Sequence, residues 1–253
     1  MRLKLIACDA LTREVCWCVV RSPHVIDLEF TAKGAHDESD TLRALLQSKI
    51  DAASAASEPY DAVLLCYGVC GNSTVGLQAR DTRLVIARAH DCCTLFLGSK
   101  AAFKEHFASN PSRPFCSAGY LERGGWDSIS PATARLLGTD KTFDDYVRLY
   151  GEENARHIVE TLTASTKRGE SDSIAYIDVP ETHNAALEAE CRARAEADKK
   201  RFIELRGSIR LVAHLLNGDW DPDDFLIVEP GHRIIGVYDL DEVVRAEHVR
   251  ATE

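Results

Sequence analysis

Short apolar runs alternate with amphipathic segments along the chain, and this pattern predicts an α/β fold. The clearest strand covers residues 61–67 (Asp-Ala-Val-Leu-Leu-Cys-Tyr), because a continuous apolar run of this length is typical of a strand that is covered on both faces. Residues 40–54 place leucine and isoleucine at helical spacing, which predicts an amphipathic helix. The two periods occur in turn, as expected for strands that are joined by helices.

The remaining runs extend the same alternation over most of the chain. Strands are predicted over residues 2–7, 24–30, 83–88, 114–118 and 173–179. Helices are predicted directly after Cys8, with Asp9 as a candidate N-cap, directly after Cys92, and over residues 100–108, 142–167 and 184–204. Two further apolar runs, residues 208–216 and 224–229, close the pattern.

Alternating strands and helices predict a mostly parallel sheet with flanking helices, in a three-layer, Rossmann-like arrangement. No internal repeat and no low-complexity linker divides the sequence. We therefore expect residues 1–253 to form a single α/β domain, on which the helical segments 142–167 and 184–204 pack. The charged helix over 184–204 carries alanine along one face, so it is a candidate surface for a homo-oligomer.

Composition and charge argue against nucleic-acid and membrane partners and against a disulfide framework. The net charge is −10 and the sequence pI is about 5.4; no basic stripe is visible, so we expect no nucleic-acid partner. The apolar run at the N-terminus is too short for a signal peptide or a membrane span, and we expect a cytoplasmic protein with no membrane partner. The nine cysteines then favour metal binding or thiol chemistry over a disulfide framework.

Three cysteines fall where a predicted strand ends and a helix is expected to begin: Cys8, Cys70 and Cys92. Ligands of parallel α/β sheets bind outside the carboxyl ends of the strands, so we expect the three thiols to converge on one site there. The positive end of a helix favours the thiolate, which is the form that binds metals. We therefore predict that these three cysteines are metal ligands.

Polar residues beside these cysteines are candidates for acid–base catalysis. His90 lies two residues before Cys92, and a neutral histidine can act as a fourth ligand or as a proton carrier. Asp91 is either an acid–base group or the N-cap of the next helix. Glu14 lies about one and a half helical turns past Cys8, so it is a candidate acid or base at the crevice, against the alternative of a solvated helix charge.

The loop around Cys70 is built from small residues, and Gly68, Gly71 and Asn72 are predicted to bind the cofactor. Gly71 lets the backbone come close to a ligand, and Asn72 adds a polar group at the expected start of the next helix. The spacing matches no phosphate-binding loop, dinucleotide fingerprint or serine-hydrolase elbow. Nucleotide cofactors therefore have no support in the sequence.

Three thiolates leave the identity of the metal open. Three protein ligands with one open position are the arrangement of catalytic zinc, and the same thiolates suit a [4Fe–4S] cluster with one open iron. Without a metal, the cysteines would be small core residues. Packing or incidental roles are expected for Cys16, Cys18, Cys66, Cys93 and Cys191, whereas Cys116 ends a predicted strand near the same crevice.

Three segments carry a family resemblance. They are residues 66–72 (Cys-Tyr-Gly-Val-Cys-Gly-Asn), 88–99 (Arg-Ala-His-Asp-Cys-Cys-Thr-Leu-Phe-Leu-Gly-Ser) and 217–231 (Asn-Gly-Asp-Trp-Asp-Pro-Asp-Asp-Phe-Leu-Ile-Val-Glu-Pro-Gly). They resemble a bacterial and archaeal family that is catalogued as domain of unknown function 1638, from Cys8 to about Arg233 of this chain. The resemblance implies that the cysteine motifs form one site. Because family members accompany corrinoid-dependent methyltransferase systems, it also implies methyl transfer, with a corrinoid protein or a small molecule as partner.

These observations lead to three expectations for function. The first is a zinc-dependent methyltransferase, because zinc keeps a bound thiolate nucleophilic at neutral pH. The second is an iron–sulfur protein that works through an open iron or by electron transfer. The third is a non-catalytic accessory protein that binds or delivers a metal or cofactor. The sequence leaves open whether the chain is an enzyme, and it identifies no substrate.

Overall fold

The computed structural model describes residues 1–37, 39–110, 113–124, 143–152, 154–156, 172–237, 239 and 241–249. The strands are β1 (Arg2–Cys8), β2 (Val25–Thr31), β3 (Ala62–Cys66), β4 (Leu84–Ala87), β5 (Phe115–Cys116), β6 (Ser173–Asp178), β7 (Arg201–Arg206), β8 (Phe225–Val228), β9 (His232–Gly236) and β10 (Val244–His248). The α-helices are α1 (Thr12–Val19), α2 (Ser39–Ser54), α3 (Cys92–Leu97), α4 (Lys100–Phe107), α5 (Ala118–Glu122), α6 (Phe143–Tyr150), α7 (Ala185–Ala197) and α8 (Arg210–Asn217).

A mostly parallel sheet with the order β2–β1–β3–β4–β8 forms the centre of the fold. Strands β1 to β4 run parallel, and β8 pairs with β4 in the antiparallel sense. The register sets Cys8 beside Thr31 on β2 and Ala7 beside Cys66 on β3. The carboxyl ends of these strands therefore lie at one edge of the sheet. The predicted α/β class and the mostly parallel sheet are confirmed.

Apolar side chains cover both faces of this sheet. Leu64 and Leu65 are neighbours on β3, so they point to opposite faces. Leu65 packs in the cluster that contains Leu46 of α2, whereas Leu64 packs in the cluster that contains Val15 of α1 and Leu215 of α8. All five side chains are fully buried, and burying one such side chain stabilises the fold by about 1.5–3 kcal/mol.

A second sheet lies beside the first one. It has the order β5–β6–β7, and its strands run parallel. Helix α5 follows β5 directly, and its Glu122 pairs with Arg13 of α1 at 2.5 Å. This connection brings the β5–α5 corner to the side of the central sheet where β1 ends. Strands β9 and β10 form a separate antiparallel hairpin.

The predicted helix over residues 184–204 is wrong at its carboxyl end. Helix α7 ends at Ala197, and β7 begins at Arg201 and pairs with β6. Lys199 adopts a left-handed φ of 54°, which turns the chain between the two elements. Phe202 of β7 then packs beside Tyr176 of β6, with ring centroids 6.3 Å apart. Pairing with β6 thus overrides a local composition that favours a helix.

Other boundaries also differ from the sequence prediction. The run over 208–216 forms most of helix α8, and the run over 224–229 contains β8. The strand predicted over 114–118 is short because Ser117 caps α5, where its Oγ accepts a 3.3 Å hydrogen bond from the backbone N–H of Tyr120. Most of the helix predicted over 142–167 lies outside the described residues, apart from α6 and a few residues after it. No helix within the described ranges is both long and apolar enough to cross a membrane.

Candidate functional site

A cavity of about 230 Å³ lies where β1 and β3 end and α3 begins. We call it the thiol cavity, because its wall contains Cys8, Cys66, Cys70 and Cys92, together with the charged side chains of Lys33 and Asp91. The rest of the wall is largely apolar and aromatic. The three cysteines predicted as metal ligands therefore reach one cavity.

Cys8 is the last residue of β1, and the segment that follows it differs from the prediction. A 3₁₀ turn over Asp9–Leu11 precedes α1, and Asp9 does not cap the helix. The Asp9 carboxylate instead accepts a 2.7 Å hydrogen bond from the backbone N–H of Lys33, which ties the exit of β1 to the exit of β2. Burial raises the pKa of Cys8 to about 11, although a backbone hydrogen bond from Ala10 acts in the opposite direction.

Cys70 lies in a turn rather than at the predicted helix N-terminus. Cys70, Gly71 and Asn72 have positive φ values of 46°, 63° and 72°. A left-handed conformation costs a residue with a side chain about 1–2 kcal/mol, so surrounding contacts must hold Cys70 and Asn72 in place. The backbone N–H of Cys70 donates to the carbonyl oxygen of His90 at 2.9 Å, and Arg43 donates to the carbonyl oxygen of Asn72 at 2.7 Å.

Gly68 allows the two cysteine segments to approach each other. A Cβ atom at Gly68 would lie 2.6 Å from both the Cα and the N of Asp91. Gly68 therefore serves backbone packing, and neither it nor the exposed Asn72 lies on the cavity wall. Of the three residues that were predicted to bind a cofactor, only Gly71 lines the thiol cavity.

Asp91 is the N-cap of α3, and its side chain accepts from the backbone N–H of Thr94. Cys92 is the first residue of that helix. Burial raises the pKa of Cys92 well above its usual value, and the neighbouring Asp91 carboxylate raises it further. The expected benefit of the helix N-terminus for the thiolate is thus opposed by the cap itself.

The thiols of the cavity influence one another. Burial raises the pKa of Cys70 to about 12, and the charges of Asp91 and Cys8 add to this rise. Backbone hydrogen bonds from Gly68 and Cys92 to the Cys70 sulfur partly offset it. Without a cation the cavity therefore holds neutral thiols at neutral pH, and a bound cation would favour the thiolates.

Two predicted catalytic side chains lie away from the thiol cavity. The ring of His90 packs against Phe103 with centroids 5.4 Å apart. Glu14 is 1% exposed, and its Oε1 accepts a 2.5 Å hydrogen bond from the Thr182 hydroxyl. Glu14 Oε2 and His90 Nε2 are buried without a hydrogen-bond partner among the described residues. Burial raises the pKa of Glu14.

The cavity also contains residues that the sequence reasoning missed. Lys33 is 6% exposed, and its ammonium lies 3.8 Å from the centre of the Tyr120 ring. Tyr67 follows β3 and shares a short hydrogen bond with Thr31. Lys33 lies two residues past Thr31, the last residue of β2. Its position at the carboxyl end of a strand is the sequence signal that could have identified it.

The other cysteines occupy varied environments. Cys66 lines the thiol cavity, although it was expected only to pack, and burial raises its pKa strongly. Cys18 and Cys93 are buried, as expected, whereas Cys16 is exposed on α1. Within the described residues, no group of three or more histidine, cysteine, aspartate or glutamate side chains is arranged so that it could hold a metal ion.

Comparison with known proteins identifies a family but no function. A family model described as "Protein of unknown function (DUF1638)" matches residues 30–216, which confirms the resemblance seen in the cysteine motifs. The matched segment includes Cys70 and Cys92, and it begins after Cys8. No curated protein matches the chain significantly, and no solved structure does so either.

Proposed function

This chain belongs to the DUF1638 family, and we propose that it binds one metal ion through Cys8, Cys70 and Cys92 and uses the ion for methyl transfer to a thiol. The observation that carries the proposal is that all three thiols line one cavity. The proposed site lies outside the carboxyl ends of the strands in a three-layer, Rossmann-like arrangement, where ligands of such sheets bind.

The donor atoms support a thiophilic metal. Three sulfur ligands suit zinc, and one position then stays open for a substrate. Backbone N–H groups lower the pKa of two of these thiols: that of Ala10 acts on Cys8, and those of Gly68 and Cys92 act on Cys70. Such hydrogen bonds favour the thiolate over the thiol, so the backbone is suited to hold the charged form once a cation is present.

Metal binding requires the side chains to move. The three thiols line the same cavity but do not form a ligand group as they are placed. Rotation of cysteine χ1 between staggered rotamers moves the sulfur without moving the backbone. The cavity of about 230 Å³ leaves room for this rotation and for a small ligand beside the metal.

The remaining wall supports chemistry at a desolvated sulfur. Zinc would keep a bound thiol deprotonated at neutral pH, which is the form that accepts a methyl group. Leu11, Phe115 and the ring of Tyr120 line the cavity and limit the access of water. The assignment to methyl transfer rests on the family resemblance, and the methyl donor is a corrinoid protein or a small molecule.

An iron–sulfur cluster is the second candidate, and Cys66 favours it. This residue adds a fourth thiol to the same wall, and four thiolates are the number that a fully ligated cluster takes. An accessory protein that binds a metal or cofactor without turnover would use the same residues. The metal and sulfide content of the protein distinguishes a zinc site from an iron–sulfur cluster. An assay of methyl transfer distinguishes an enzyme from an accessory protein.

The test is the metal and acid-labile sulfide content of protein that has been purified without oxygen. The variants are Cys70→Ser and, as a matched control, the exposed Cys16→Ser. About one zinc per chain in the wild type and in Cys16→Ser, with a loss in Cys70→Ser, supports the zinc proposal. Iron with matching sulfide replaces zinc with a cluster. If the purified protein contains no stoichiometric metal and also fails to bind added zinc or iron, the metal proposal is wrong.

A further inference from the structure

A second pair of thiols lies outside the thiol cavity. The Sγ atoms of Cys116 on β5 and Cys191 on α7 are 3.2 Å apart, and both residues are fully buried. We propose that these two cysteines are a modification site, at which a peroxide converts the thiol pair into an intramolecular disulfide. This inference does not depend on the proposed metal site.

The fold of the second sheet brings the two sulfurs together. Helix α7 packs on β6 and β7, and β5 pairs with β6 at the side of the same sheet. Cys116 and Cys191 share one apolar cluster with Ile174 and Tyr176 of β6. The two cysteines are 75 positions apart in sequence, so their contact is a product of the tertiary fold.

The distance is suited to bond formation. A disulfide bond is about 2.05 Å long, so the two sulfurs must approach each other by roughly 1 Å. Side-chain rotation within the apolar cluster can supply a movement of this size. If the sulfurs were farther apart, β5 or α7 would have to shift before a bond could form. Because the sulfurs are already in contact, no such shift of the backbone is expected.

The reaction balances with peroxide as the oxidant. One sulfur, once it has lost its proton, attacks a peroxide oxygen and becomes a sulfenic acid, while the O–O bond breaks and hydroxide leaves. The second sulfur attacks the first, the S–S bond forms, and the hydroxyl group leaves as water. The two thiols lose two hydrogens and two electrons, and one hydrogen peroxide becomes two waters.

Burial makes this reaction slow. Burial raises the pKa of Cys116, and the neighbouring Cys191 raises it further, so little thiolate is present at neutral pH. The exposed Cys16 is expected to meet the oxidant first. The expected product is nevertheless the Cys116–Cys191 disulfide, because a sulfenic acid that forms at either sulfur is already in contact with the thiol that resolves it.

The disulfide would affect the wall of the thiol cavity. Phe115, which precedes Cys116, lines that cavity, and Tyr120 of the following helix does so as well. The bond would join β5 to α7 and fix the segment that carries both aromatic side chains. Oxidation at this pair is therefore expected to stiffen one side of the candidate site without consuming any of its thiols.

The test is a disulfide map of the full-length chain after treatment with hydrogen peroxide. The protein is quenched in acidic denaturant, alkylated with N-ethylmaleimide, digested and analysed by mass spectrometry. The expected product is one linked pair of peptides that contain Cys116 and Cys191, two hydrogens lighter than the reduced pair. Oxidised wild type should also melt several degrees higher than reduced wild type, because the bond restricts the unfolded chain.

Three variants make the result specific. Cys116→Ala and Cys191→Ala should each lose the linked peptides and the rise in melting temperature, whereas Cys16→Ala should keep both. The disulfide map of the wild type tests the proposal by itself, even if Cys116→Ala or Cys191→Ala folds poorly. Recovery of Cys116 and Cys191 as alkylated thiols after Cys16 is fully oxidised, or linkage of either to another cysteine, would overturn the proposal.

Discussion

The backbone N–H of Cys70 donates a 2.9 Å hydrogen bond to the carbonyl oxygen of His90. Val69 donates to the carbonyl oxygen of Ala89 at the same distance. These bonds continue the pairing of β3 with β4 beyond the ends of both strands, into the two cysteine motifs. These backbone bonds therefore hold Cys70 beside the segment that leads to Cys92, at one edge of the sheet.

Gly68→Ala should force these two segments apart. The added Cβ would collide with backbone atoms of Asp91, which cannot yield as a flexible side chain would. Overpacking of this kind costs about 1–3 kcal/mol, and we expect a loss of this size in the free energy of unfolding by urea. Metal content should fall as well if Cys70 and Cys92 act together.

Gly151→Ala is the matched control for this change. Gly151 has a positive φ of 81° and no neighbouring atom near the added Cβ, so its substitution tests conformational strain without a collision. We expect a cost of about 1–2 kcal/mol and no change in metal content. Equal effects of the two substitutions on stability and metal content would contradict the role given to Gly68.

Asp91→Ala should destabilise the protein through the loss of the α3 cap. Removing an N-cap side chain costs about 0.5–2 kcal/mol, and the long contact of 3.4 Å with Thr94 places the expected loss at the lower end. Asp91→Asn keeps an accepting oxygen and should retain most of the stability. The comparison is made by urea unfolding, and a larger loss in the asparagine variant than in the alanine variant would argue against the cap.

Glu14→Gln should change how stability depends on pH. Burial raises the pKa of Glu14 in the folded state, so the folded protein retains a proton that the unfolded chain releases. Stability from this group is present below the unfolded pKa of about 4.3 and is lost as pH rises through the higher folded value. Glutamine stays neutral, so the variant should gain stability relative to wild type as pH rises through this window.

The measurement is the free energy of unfolding of wild type and Glu14→Gln at several pH values. The exposed Glu196→Gln serves as the control, and its curve should follow that of wild type. A Glu14→Gln curve that runs parallel to wild type across the whole range would mean that the carboxyl ionises as it does in the unfolded chain.

The sequence was sufficient to predict the mostly parallel central sheet and part of the site, but not the second sheet, whose strand β7 was predicted as helix. A continuous apolar run such as residues 61–67 has few alternatives to a buried strand, and Cys8 follows from the same reasoning because it ends β1. The turn at Cys70 was not foreseeable in this way. Its left-handed residues are held by bonds to His90 and Arg43, which are distant in sequence, and local composition carries no signal for them.

Side-chain direction explains the other failures. Glu14 was placed near Cys8 by helical spacing, but α1 begins only after a 3₁₀ turn and directs this carboxyl toward Thr182. Cys66 was expected to serve only the core because it lies inside the predicted strand, yet β3 ends at this residue and its thiol reaches the cavity. In both cases the element boundary differs from the predicted one by only one or two residues, and this shift changes where the side chain points.

We propose above that Cys8, Cys70 and Cys92 bind one metal ion together, and the number of sulfur ligands can be measured directly. Titration of reduced protein with Cd²⁺, followed by the ultraviolet sulfur-to-cadmium charge-transfer band, counts the thiolates that bind. We expect saturation at about one equivalent and a band that falls by about one third in Cys8→Ser, Cys70→Ser or Cys92→Ser, but not in Cys16→Ser. A band that is absent, or that is unchanged in all three variants, would show that the three thiols do not bind a metal ion together.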